Sequence, residues 1–203
     1  LDIDGPSNIG GYFSPGIAAS REAIFVDSSD LGWRNVIFAH EFEHLLHNAR
    51  DPLEYAWIDE GNADMAAFLI LGAEGTLIGH SNGWASNASC SVRWWNQRTD
   101  CDYGAGFLFM LYLADKLGGG QAIQSLVADT TTGGASIENL ARNPIPGAPG
   151  NIGTTMDEIF ANFTAAAVLD SQQGRFGFNN IEMGGTCSNS AFCRLQLTDQ
   201  NFN

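Results

Sequence analysis

The stretch Ala39-His40-Glu41-Phe42-Glu43-His44-Leu45-Leu46-His47 carries two histidines four residues apart, with a glutamate directly after the first. On an α-helix, residues i and i+4 stand one above the other on the same face, so imidazoles at this spacing can grip one metal ion. Glu41 lies about 100° round the helix from His40, within reach of a water held by such an ion. Chance is a weak rival. Only four histidines occur in 203 residues, and this composition yields His-Glu-x-x-His about 0.003 times.

The neighbouring sequence supports a helix here. Residues 33 to about 48 place Val36, Ile37, Phe38, Phe42, Leu45 and Leu46 as the apolar positions of an amphipathic helix, with Asp30 as its N-cap and Pro52 as its stop. Upstream, residues 1–20 are rich in Gly, Pro, Ser and Asn and read as a loop-dominated entry. Glu22-Ala23-Ile24-Phe25-Val26-Asp27 reads as a buried strand ending in a turn. Downstream, a second helix is predicted over 55–71, ended by Gly72, Gly75 and Gly79. Residues 72–102 read as a long irregular segment carrying His80, and such loops usually cover or perform something. A strongly apolar third helix is predicted over 103–117, stopped by Gly118-Gly119-Gly120. Short helices follow over 121–128 and 136–142, then a Pro/Gly loop over 144–153. Thr155, with Glu158 three residues on, opens the last helix, to about 169. The tail from Gln172 is Gly/Asn-rich with short alternating stretches such as Leu195 to Leu197.

Composition narrows the function classes. A net charge of −14 argues against nucleic acid or anionic membrane as the partner. No apolar run reaches the roughly 18 residues of a membrane helix. The four cysteines lack zinc-type spacing and suggest two local disulfides, Cys90–Cys101 and Cys187–Cys193, hence an oxidising compartment. The start lacks an initiator Met and a signal-like stretch, which suggests a processed or excised chain. Its length suits one domain, with an N-terminal sheet and active-site helix lobe (1–71) against a helical lobe (72–203).

A catalytic zinc needs a third protein ligand and an open fourth position. His47 is a helical turn beyond His44, too far along the axis for the same ion, and suits a supporting or structural role. Glu60, in Trp57-Ile58-Asp59-Glu60-Gly61-Asn62-Ala63-Asp64, is the better candidate, because a tight connection through Pro52 can bring its helix back antiparallel. Asp64, at i+4 from Glu60, can then accept the second ring N–H of a zinc histidine. Glu43 and Asp59 read as solvated acids without a role. Glu41 is the expected general base. Tyr103, opening the third helix, is the expected oxyanion donor, with His80 as runner-up.

His-Glu-x-x-His followed by Trp-x-x-Glu-Gly-x-x-Asp resembles the gluzincin zinc metallopeptidases. Gly10-Gly-Tyr-Phe-Ser-Pro15, Ala23-Ile-Phe-Val-Asp27 and Tyr103-Gly-Ala-Gly-Phe-Leu-Phe109 extend the likeness, over roughly residues 8–130, to the hyicolysin-type secreted bacterial metalloproteases. The resemblance implies an α+β, zincin-like fold: a small N-terminal sheet, an active-site helix, then a mainly helical C-terminal part. It implies Zn2+ on His40, His44 and Glu60, Glu41 as base, and a strand at Ile24 to Asp27 that pairs with extended substrate. The expectation is a secreted, monomeric endopeptidase acting on peptides or proteins, with no sequence support for calcium. The alternatives are a zinc aminopeptidase and an inactive, zinc-stabilised binding domain.

Overall fold

The computed structural model describes residues 9–18, 20–28, 32–86, 90–95, 99–169, 171, 174–179, 181–182 and 196–197. Hydrophobicity places the centre of the molecule at helix α5 (Asp100–Leu117), in which every residue from Gly104 to Leu117 is buried. A helix apolar on all sides can satisfy its surface only by being surrounded. Here the enclosing helices are α3 (Ala56–Leu71), α4 (Gly75–Ser86) and α6 (Gly120–Ala128). The side chain of Phe163, from α8 (Met156–Leu169), adds edge contacts to Phe109 and Tyr112. Each fully buried Leu or Phe of α5 contributes roughly 1.5–3 kcal/mol of transfer free energy, so this helix anchors everything that touches it. Thr99 and Asp102 close its N-terminus as a reciprocal capping box. Gly118 and Gly119, at φ +126° and +66°, end it where a side chain would be strained.

The remaining elements are β1 (Gly11–Phe13), α1 (Pro15–Ala18), β2 (Ile24–Val26), α2 (Arg34–Asn48), α7 (Gly134–Arg142), β3 (Ile181–Glu182) and β4 (Gln196–Leu197). Strands β1 and β2 pair antiparallel with Tyr12 opposite Phe25, and β3 pairs with β4. The chain is therefore α+β and mostly helical: among the described residues, eight helices and two two-stranded sheets. One apolar core runs from Val36 to Phe178 and draws on both predicted lobes. No helix among the described residues is long and apolar enough to cross a membrane.

Two expectations need correction. Residues 72–102 are not one irregular segment, because α4 fills 75–86. Gly75 and Gly79 read as helix breakers, but packing against α5 outweighs their helix cost of about 1 kcal/mol each. The backbones approach so closely that a Cβ on Gly104 would overlap the His80 carbonyl. The second correction concerns α2, whose expected apolar positions form its buried face only at Val36. Phe38, Phe42 and Leu46 are exposed, the first two as a stacked pair, while Val36, Ala39, Glu41, Glu43, His44 and His47 are buried. Trp33 occupies the N-cap position without a side-chain cap; Asp30, Leu195 and the Cys187–Cys193 pair lie outside the described residues. Cys90 and Cys101 are bridged, at a Cα–Cα distance of 6.0 Å. The Thr155–Glu158 capping box forms, with Glu158 N–H donating to Thr155 Oγ1 and Thr155 N–H donating to Glu158 Oε2.

Candidate metal centre

Helices α2 and α3 face each other across the buried side of α2. The connection between them is fixed by Asp51, whose Oδ1 accepts from Leu53 N–H and whose Oδ2 accepts from Thr132 Oγ1. The return is tight enough to bring Glu60 against His40 and His44. His40 Nε2 lies 3.1 Å from Glu60 Oε2, His44 Nε2 lies 3.1 Å from His40 Nε2, and His44 Nε2 lies 3.4 Å from Glu60 Oε2. Four ligands around a zinc at about 2.0–2.1 Å are separated by tetrahedral edges of about 3.3–3.4 Å. The triangle has that size.

The ring protons explain why it suits a cation. Asp64 is buried, and its Oδ1 accepts from His40 Nδ1 at 2.8 Å. A neutral His40 with its proton on Nδ1 turns the Nε2 lone pair inward. Asp59 Oδ2 stands 3.0 Å from His44 Nδ1 but out of line with the ring, so it acts by charge rather than as an aligned hydrogen bond. Two nitrogen lone pairs and a carboxylate oxygen thus converge, a donor set that fits a zinc-class dication. Electrostatics points the same way. Burial alone would depress the His40 imidazolium, but hydrogen bonds to Asp64 and Glu60 outweigh it and raise its pKa to about 10. Burial likewise opposes ionisation of Glu60, yet the two histidines hold its pKa down at about 2. A site that holds a proton this firmly is a well for positive charge.

Glu41 occupies the adjacent face of α2, under β1, and is 8% exposed. Burial raises its pKa; His40 and His44 and a hydrogen bond from the Phe13 backbone N–H pull the other way. The close fit of strand to helix depends on Gly11, where a Cβ would lie 2.8 Å from the Phe25 carbonyl and 3.1 Å from Glu41 Cγ. Strand β1, rather than Ile24–Val26, therefore forms the wall beside the base. A cleft of about 350 Å³ runs along this wall, over His40, Glu41, His44 and Glu60, between Tyr103 and an acidic end at Asp51 and Glu54.

Tyr103 reaches the same cleft from the start of α5, its ring 6.1 Å from His40, stacked on His80 at 4.8 Å and meeting the edge of Trp95 at 4.9 Å. His80 sits on α4 rather than a surface loop, and its Nδ1 donates to Asp64 Oδ2 at 2.7 Å. Asp64 thus joins His40 to His80, a link for which the sequence offered no spacing signal. Glu43 is buried rather than solvated, and Asp59 lies between His44 and His47. Neither the protein-family models nor the curated proteins compared with this sequence match it.

Proposed function

We propose that the chain is a zincin-like, zinc-dependent endopeptidase of the gluzincin type, secreted into an oxidising compartment. The observation that carries the reading is the convergence of His40 Nε2, His44 Nε2 and Glu60 Oε2 within 3.4 Å of one another, beside a buried Glu41. The Cys90–Cys101 bridge supports the compartment.

His40, His44 and Glu60 would hold the ion, and Asp64 fixes the tautomer of His40. Zinc, when bound, supplies Lewis acidity that polarises a peptide carbonyl and acidifies water. Glu41 takes the proton from the attacking water and delivers it to the departing amine, a transfer suited to a carboxylate whose pKa is raised by burial. The Tyr103 hydroxyl donates to the oxygen on which negative charge develops. Strand β1 lines the cleft and can align an extended peptide beside Glu41. A second cleft of about 560 Å³, walled by Tyr55, Trp57 and Trp95, meets the first at Ala56 and gives room for residues beyond the scissile bond.

One observation favours an aminopeptidase as a second reading: the cleft is also lined by the acids Asp51 and Glu54, whose negative charge suits a free amino group. Digestion of a peptide library in free and N-acetylated forms, with and without chelator, tests both. Chelator-sensitive cleavage inside acetylated peptides is the expected result. Cleavage only of free N-termini transfers the assignment to the aminopeptidase, and chelator-insensitive or absent cleavage removes the metallopeptidase.

A further inference from the structure

We infer that the same helix pair carries a second divalent-cation site, built from Glu43, His47 and Asp59, for a first-row ion of the zinc or manganese class. Glu43 and His47 repeat the i, i+4 spacing of His40 and His44 three residues along α2, and Asp59 directly precedes Glu60 on α3. Each of the three residues offers one ligand atom, all within 4.8 Å of one another. His47 Nδ1 lies 3.4 Å from Glu43 Oε1 and 3.3 Å from Asp59 Oδ1.

These groups are not otherwise occupied. His47 is fully buried and Glu43 is 5% exposed. Neither ring nitrogen of His47 and neither carboxylate oxygen of Glu43 has an aligned hydrogen-bond partner among the described residues. An imidazolium held by a carboxylate makes in-line bonds of about 2.7–2.9 Å. The longer, out-of-line separations here are those of donors spaced around a common ion with bonds of about 2.0–2.2 Å. Charge agrees. A protonated His47 leaves the buried group one negative charge in excess, whereas a neutral His47, two carboxylates and a dication sum to zero. The unpartnered Glu43 Oε2 supplies a fourth donor from the same carboxylate, so the set is one nitrogen and three oxygens, which suits zinc or manganese. Asp59 would bind this ion through Oδ1 while its Oδ2 stays 3.0 Å from His44 Nδ1. The second ion would then tie α2 to α3 and position a ligand of the first.

The inference is independent of peptidase activity and is tested by counting ions. Chelator-stripped full-length chain is dialysed to equilibrium against micromolar Zn2+ and, separately, Mn2+, and bound metal is measured by mass spectrometry. Two ions per chain are expected in the wild type with at least one of the metals, falling to one in Glu43→Gln and to one in His40→Ala. One ion in the wild type with both metals, still retained in Glu43→Gln, overturns the inference. Two ions retained in Glu43→Gln overturn it as well, by placing the second ion elsewhere. One ion in the wild type that is lost in Glu43→Gln and kept in His40→Ala would instead support the second site and count against the catalytic centre.

Discussion

The two triads on α2 and α3 are built from the same kinds of side chain and differ in where they open. His40, His44 and Glu60 face a cleft shared with Glu41 and Tyr103. Of Glu43, His47 and Asp59, only Asp59 reaches that cleft, its side chain 34% exposed, while the other two are sealed between the helices. Counted with a dication, the first triad keeps one positive charge and an open position, and the second is neutral and closed. With ions bound, that difference would separate a metal site able to react from one able only to hold. The lesson is that three residues along one helix replace an open group of two histidines and one carboxylate by a sealed one of one histidine and two carboxylates.

The sharpest way to break this comparison is to neutralise neighbouring carboxylates of α2 in parallel. Glu41→Gln is expected to lower kcat by about 10²–10⁴-fold with zinc content and melting temperature near wild type. Glu43→Gln is expected to shift the melting temperature while the chemical step survives in the folded fraction. Equal kcat losses in both variants would erase the distinction between open and closed triads.

Tyr103→Phe comes next, with kcat lowered by about 10²-fold and KM little changed if its hydroxyl serves the developing oxyanion. A wild-type kcat would leave His80 as the donor. Asp64→Asn keeps the shape of the side chain but removes the charge shared by His40 and His80. Zinc affinity is expected to fall by about 10–100-fold, measured by competition with a chelating dye; unchanged affinity would mean that Asp64 only fills space.

The smallest effect is on pH dependence. Burial opposes protonation of His47, but Asp59 and Glu43 outweigh it and raise its pKa to about 10, as Asp64 and Glu60 do for His40. Both pKa values rise on folding from the usual 6.5. In chelator-stripped protein their stabilisation is therefore full below about pH 6.5 and lost as pH climbs through about 10. Its melting temperature should fall across that window. Zinc-loaded protein should show a flatter profile, since the ion replaces the protons. A flat profile in stripped protein would contradict the raised pKa values of His40 and His47.

Much of this site was legible in the chain because its parts are local. The i, i+4 spacing of His40 and His44 fixes a shared face once a helix forms, and a Pro-containing turn makes an antiparallel return to Glu60 geometrically natural. Asp64 followed by the same arithmetic on α3. The central helix was equally legible, since an uninterrupted apolar run has nowhere to go but inside. What stayed hidden depended on neighbours. Phe38, Phe42 and Leu46 look like a core face, yet they point outward because α3 and β1 claim the polar side of α2. Gly75 and Gly79 look like breakers, yet contact with α5 keeps them helical.

The sequence by itself determined the shared helical face of His40 and His44, the helical centre and the Thr155–Glu158 cap, because each is set by interactions within a few residues. Only the tertiary structure decided which side of α2 is buried, that β1 is the wall beside Glu41, that Asp64 joins His40 to His80, and that Glu43 and His47 are sealed from water. These rest on contacts between segments far apart in the chain, where burial, not local propensity, sets what a side chain can do.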